Sequence, residues 1–274
     1  MPALKTKQIK SLKDYISCVQ AFRGGRTGPI WYRGCGEVSH NLNPSLYRHR
    51  FSQAIEDYMA LEKKLLSRFQ QRSIPFLSRH MANNWEWLFL MQHYGAPTRL
   101  LDWSESPLTA LFFAATYADH TLGANGNPVF STDAAVWLLD PVQWNKRSVN
   151  LKSFPGEVLT TDDAHANAYT PVGDVKTMQP FPIAIYGVHN SQRIVAQRGV
   201  FVCFGRDTRP METIYENESF PANCLFKLIV KRGRLPAILS ALLRYGVTDS
   251  VVFPDLDGLA KEIKREDAFE VHYV

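Results

Sequence analysis

Two hydrophobic periods run along this chain, and the place where one gives way to the other marks its organisation. Helical spacing dominates the first half. Leu12, Tyr15, Ile16, Val19 and Phe22 fall on one face behind Ser11, which with Asp14 resembles a capping box. Residues 53–71 give the clearest helix, with Ala54, Tyr58, Leu61, Leu65 and Phe69 recurring at helical spacing. Another helix is predicted from about Asn84 to Tyr94, stopped by Gly95. A fourth runs from Pro107 to about Tyr117, apolar on nearly every side and so expected at the centre of the molecule. Strand-like runs enter with Pro29 to Tyr32, closed by Arg33-Gly34, and with Ala134 to Leu139.

The last third is β-rich. Ile183–Val188, Gln192–Gln197, Gly199–Phe204 and Cys224–Val230 read as strands, with Arg198-Gly199 as a turn or bulge between two of them. Leu235–Tyr245 is helical, Ser250–Phe253 a strand, the stretch to about Arg265 a short helix and Phe269–Val274 a final strand. Residues 145–180 carry no firm period. The pattern predicts an α+β fold with a mixed or mainly antiparallel sheet around a buried central helix. It divides into an N-terminal helix and lead-in over 1–27 and a main domain over 28–274.

Composition narrows the class only a little. Apolar residues make up 45% and aromatic ones 12%, which suits a folded protein with a sizeable core. The charge of +5 and pI near 9.0 lean basic, which is compatible with an anionic partner and does not establish one. Cys18, Cys35, Cys203 and Cys224 form no close pair and read as reduced thiols in or near the core. With no signal peptide and no long apolar run, the expectation is a cytoplasmic protein without a membrane partner.

The densest chemistry lies in residues 92–115, QHYGAPTRLLDWSESPLTALFFAA. Here a helix stop and a proline are followed by an arginine, an acid and an indole, and Ser106-Pro107 then opens the apolar helix. Such a helix start presents unpaired N–H groups to an anion, either a phosphate or an internal carboxylate such as Asp102. Trp31-Tyr32-Arg33-Gly34 is the expected facing wall. Signatures of hydrolases, P-loop NTPases, zinc proteases and Rossmann dehydrogenases are absent. What remains is a set of polar residues inside apolar runs: Arg33, Arg99, Asp102, Ser104, Arg193 and Gln197. Arg99 and Asp102 read equally as an internal ion pair and as site residues. Arg33, flanked by aromatics and a glycine, suits a phosphate grip beside a stacked ring. His93, in a helix's last turn, is more often a packed histidine than a catalytic one. Asp255 and Asp257 cap the following helix and are too few for a metal site.

Trp31-Tyr32-Arg33-Gly34, the run from His93 to Ser104 continuing through Ser106 to Ala114, and Gln192-Arg193-Ile194 with Gln197 to Phe201 resemble the FRG domain family. The run Val252 to Leu259 is similar to that family's C-terminal part, and Tyr32 stands where the name-giving motif has phenylalanine. The order of parts is in turn similar to ADP-ribosyltransferases, which implies their fold and NAD as substrate. On that comparison Arg33, Asp102 and Gln197 are the candidate catalytic residues. Tyr32, Arg33, Gly34, His93, Tyr94, Thr98, Arg99, Trp103 and Ser104 are the candidate NAD-binding residues. Gln197 at the transferase glutamate position can hydrogen-bond but carries no charge, which leaves Asp102 as the nearest acid.

Two functions stay open. One is an NAD-using enzyme that modifies a macromolecule, nucleic acid or protein, in toxin or phage-defence biology and with an antitoxin partner among those the resemblance allows. The other is a non-catalytic module in which Arg33, Arg48, Arg50 and Trp103 recognise nucleic acid or a nucleotide.

Overall fold

The computed structural model describes residues 2–52, 54–77, 79–123, 128–188 and 191–267. In chain order its elements are β1 (Lys5–Ile9), α1 (Leu12–Arg23), β2 (Trp31–Cys35), α2 (Ile55–Ser73), α3 (Asn84–His93), β3 (Leu100–Ser104) and α4 (Pro107–Thr116). There follow β4 (His120–Leu122), β5 (Pro128–Phe130), β6 (Ala134–Leu139), α5 (Pro141–Val149), β7 (Ile183–Ile185), α6 (Gln192–Ala196) and β8 (Gly199–Cys203). The last are α7 (Met211–Asn217), β9 (Leu225–Val230), α8 (Leu235–Arg244), α9 (Asp249–Val252) and α10 (Leu256–Glu266).

Seven strands form one mixed sheet in the order β1-β9-β6-β2-β3-β8-β7, and β4 with β5 makes a separate hairpin. Among the named strands β1 runs parallel to β9 and the other sheet pairings are antiparallel, while Leu159 adds an isolated parallel bridge to Ile185. This is the α+β architecture the hydrophobic pattern predicts. Among the described residues no helix is long and apolar enough to cross a membrane.

Strand β6 shows why the sheet is the middle layer. All six of its residues are buried, as a continuous apolar run requires when both faces are covered. Ala134, Val136 and Leu138 join a core with α1, α4 and α8, while Trp137 and Leu139 join a second core with α2, α5 and α7. A third cluster packs α3 against β7 and β8 through Phe89, Ile183, Ile185 and Phe201. The four cysteines are buried, unpaired thiols.

Helix α4 holds the central position expected of it, lying directly against β2. Its start is built from hydroxyls: Ser106 caps it by accepting from the Thr109 amide at 3.3 Å, and Ser104 accepts from the Ser106 amide at 2.9 Å. These serines take donors that the sequence reading offered to a phosphate or to Asp102. The approach of β2 to α4 is set by glycine. A Cβ on Gly34 would lie 1.9 Å from the Ala110 carbonyl oxygen and 2.6 Å from the Ala114 nitrogen, and one on Gly36 would lie 2.0 Å from the Tyr117 carbonyl oxygen. The glycine of the Arg-Gly pair is there for backbone-to-helix contact.

Two predicted strands are helices. Gln192–Ala196 is α6, opened by Ser191, whose hydroxyl accepts from the Ile194 amide at 3.2 Å. Asp249–Val252 is α9. Both runs are too short for a period to be read; a Ser191 cap opens α6, whereas Thr248 makes no side-chain cap hydrogen bond to α9. Ile183–Val188 keeps its strand only as far as Ile185. Strand β1 was not anticipated; four of its five residues are exposed, because it is the parallel edge of the sheet. The expected strand Phe269–Val274 lies outside the described residues.

Gly34→Ala is expected to destabilise the fold by about 3 kcal/mol or more through overpacking against rigid backbone. Gly25→Ala, where a Cβ would meet nothing within 4 Å, is expected to stay within about 0.5 kcal/mol of the parent. Urea unfolding of the two variants checks the contrast.

Candidate functional site

The sheet parts at its middle. β2 pairs with β6 through five register positions and β3 pairs with β8 through five, yet β2 and β3 share one, Tyr32 opposite Ser104. Beyond it the strands separate, leaving backbone donors and acceptors without a ladder partner. A cleft of about 340 Å³ reaches into this region, lined from both strands and from α3, α4, α6 and β8. That is within the usual range for small-molecule sites.

Arg33 and Asp102 meet there. One guanidinium nitrogen of Arg33 donates to the Asp102 main-chain carbonyl, spanning the parted strands. Its Nε is buried without a hydrogen-bond partner among the described residues. Arg33 thus fastens the gap while its buried Nε is left unpaired.

The Asp102 side chain is open to the cleft but ringed by protein. Gln92 donates to its Oδ2 at 2.6 Å, and Thr98 donates its hydroxyl to the Oε1 of Gln92. A Thr98–Gln92–Asp102 relay therefore fixes the carboxylate. Enclosure pushes its pKa above the ordinary 3.8, outweighing the opposing pull of Arg33, the Gln92 hydrogen bond and His93. Among the cleft-lining residues it is the one carboxylate.

His93 also lines the cleft, with Nδ1 3.3 Å from the Ser191 hydroxyl. Burial and the nearby Arg193 push its pKa below 6.5, against Asp102 and Asp255. A positive imidazole is therefore disfavoured, contrary to what the helix end alone implies. Arg193 holds Asp255 at 2.6 Å through Nε and lies over the Phe253 ring at 5.2 Å. Asp255 also caps α10, accepting from the Gly258 amide at 2.9 Å, as the sequence predicted.

Gln197 lines the cleft, but its amide donates to the Val252 carbonyl at 3.1 Å, which ties α6 to α9. Ser104 donates to the Gln197 carbonyl at 2.6 Å. Tyr32, Gly34 and Trp103 complete the expected set lining the cleft, and the Trp103 ring is buried in the second core.

Three expected binding residues lie elsewhere. Arg99 is 0% exposed and sits away from the cleft. Its ion-pair partner is Glu62, with Nε 2.9 Å from Oε1, instead of Asp102. That contact is electrostatic more than a well-aligned hydrogen bond, since both atoms lack one. The guanidinium also donates to the carbonyls of Tyr169 at 2.6 Å and Phe204 at 3.3 Å, binding α2, β8 and the 164–169 turn to β3. Thr98 is buried outside the cleft lining; its hydroxyl donates to Gln92 and accepts from the Leu100 amide at 3.1 Å. Tyr94 is 70% exposed and lines a separate groove.

Sequence reasoning missed Tyr117 and Phe253 as lining residues, and it placed Gln92 and Phe113 within the 92–115 site stretch without singling them out. Gln92 had a readable signal: a polar side chain in the last turn of an apolar helix, next to the motif it serves.

These features define an α+β protein whose candidate site occupies a parting in a mixed sheet. Residues 28–121 match the family model of the FRG domain, so the chain carries that domain over about a third of its length. The match takes in β2 to α4 and bears out the resemblance read from the motifs, while Arg193, Gln197 and Phe253 lie beyond it. No curated protein and no solved structure matches the chain.

Arg99→Ala is expected to cost about 3–5 kcal/mol, because it leaves Glu62 charged and buried. Asp102→Asn should behave oppositely. A carboxyl whose folded pKa is raised lowers stability as pH climbs through that value, so the asparagine variant should melt above the parent near neutrality. The advantage should vanish below the ordinary carboxyl pKa of 3.8, where both are uncharged. Thermal unfolding at the two pH values checks both variants.

Proposed function

We propose that the chain is an ADP-ribosyltransferase-like enzyme that uses NAD to modify a macromolecule. The observation that carries this reading is the meeting of Arg33 and Asp102 across the parted strands, within one cleft that Gln197 also lines. The chemical fit is reasonable for the nicotinamide half of a dinucleotide. Phe113, Tyr117 and Phe253 offer ring faces, while Arg33 and Arg193, the latter already paired with Asp255, offer guanidinium charge for phosphate. A cleft of about 340 Å³ suits that half alone and leaves the rest outside it.

NAD supplies an activated ribose: its bond to nicotinamide breaks as an acceptor oxygen or nitrogen bonds the same carbon, nicotinamide leaves with the bonding pair, and the acceptor's proton is released to solvent. The work for the protein is orientation and charge. Asp102, held by Gln92, places negative charge on the cleft surface, and Arg33 holds phosphate. Gln197, engaged with Val252, positions α6 and supplies no charge. Trp103 is too deeply packed to serve as the stacking platform of a simple nucleic-acid binding module. Toxin or phage-defence biology, an antitoxin partner and a nucleic-acid acceptor accompany this reading through the resemblance alone.

The test is incubation of the full chain with NAD and with RNA, DNA and protein acceptors, followed by mass spectrometry and nicotinamide assay. Covalent ADP-ribose and free nicotinamide are expected, both reduced at least about a hundred-fold by Arg33→Ala or Asp102→Asn. Binding without turnover would replace the enzyme with a nucleotide-binding module.

A further inference from the structure

A second concavity lies on the other side of α3. It measures about 770 Å³ and runs between α2, α3 and the 74–77 turn. Leu65, Phe69, Leu77, Leu90 and Met91 make an apolar lining. Phe76, 86% exposed, and Tyr94 stand among the lining residues. Arg68, Arg72 and Arg79 supply the charge, and no carboxylate lines the groove.

Two of these arginines belong to a longer stripe. Lys64, Arg68 and Arg72 recur every four residues along α2, all exposed, and among the described residues none has an acidic partner. Like charges at this spacing oppose each other and cost the helix a few tenths of a kcal/mol per pair. The apolar stripe of Leu61, Leu65 and Phe69 runs alongside, one step round the helix. Arg79 is held by Glu86 at 3.0 Å, so the free charge is concentrated on α2.

We propose that this groove docks an acidic amphipathic helix of a partner protein, with its apolar residues entering between α2 and α3 and its carboxylates meeting Lys64, Arg68 and Arg72. Charge complementarity and the apolar lining together specify that occupant. Helix-in-groove recognition needs an apolar channel long enough for anchors one turn apart, and methionine and leucine linings adapt to such anchors. A single-stranded nucleic acid would instead want flat rings for successive bases, whereas much of this lining is aliphatic. The inference is independent of NAD chemistry in the cleft, although adjacent residues, His93 and Tyr94, line the two sites.

Fluorescence anisotropy on the full chain tests it, with three labelled probes. One is a peptide of about 18 residues built from Glu and Leu with leucines at helical spacing. The second replaces Glu by Lys, and the third is a single-stranded oligothymidylate. The acidic peptide is expected to bind with a salt-sensitive Kd, weakened at least about ten-fold by the Arg68→Glu/Arg72→Glu double variant. The same affinity should stay within about two-fold in Arg48→Glu/Arg50→Glu, which alters a basic segment outside the groove. Circular dichroism confirms that each variant is folded. Failure of the acidic peptide to bind, equal loss in both double variants, or tighter binding of the oligonucleotide lost on Arg68→Glu/Arg72→Glu would each overturn the proposal.

Discussion

The constraint on which the rest depends is the contact of β2 with α4. Gly34 brings strand backbone so near the Ala110 carbonyl that no side chain fits between them. That contact sets β2 against α4 while five register positions hold it to β6. On its other side β2 keeps one pairing with β3. A helix seated this closely against an unbranched strand position thus accompanies a break in the sheet, and the break is where the polar residues collect. Packing against α4 and the parting from β3 meet on the same strand.

The polar residues around the break divide by what they touch. Arg33 satisfies a main-chain carbonyl that the ladder leaves free, and its Nε is buried without a hydrogen-bond partner among the described residues. Asp102 is the carboxylate of the cleft and depends on Gln92 and, behind it, Thr98. Its raised pKa marks a position held at some expense to stability, as functional sites often are. Arg99, three residues earlier in the same strand region, has the opposite character. It is sealed in protein with Glu62 and two carbonyls, and its role is to hold four chain segments together.

Much of this was legible in the residues. The all-apolar α4 predicts the central position the structure gives it, whereas α2 is a helix as its period predicts but turns Tyr58, Met59, Glu62 and Leu66 inward and leaves Leu61, Leu65 and Phe69 half-buried. The pairing of the Arg33 segment with the 98–107 bend was readable because both place charge inside apolar runs. Arg99 and Asp102 show where such reading stops: both break an apolar strand, and only the three-dimensional partner separates them. Glu62 lies on α2, far away in sequence, and no local pattern announces it. The sequence does not separate helix from strand at α6 and α9 because a run of four or five residues has no period to measure. Tyr94 went to the wrong site because one residue past a helix end the chain turns from one face of α3 to the other.

The parted strands are the site if a nucleotide occupies them, and a crystal soaked with NAD measures that directly. Density between β2 and β3, with phosphate oxygens on Arg33 and the ribose beside Asp102, is the predicted result. Density confined to the groove between α2 and α3, or a cleft in which the Arg33 and Asp102 side chains face no ligand at saturating NAD, would contradict the account.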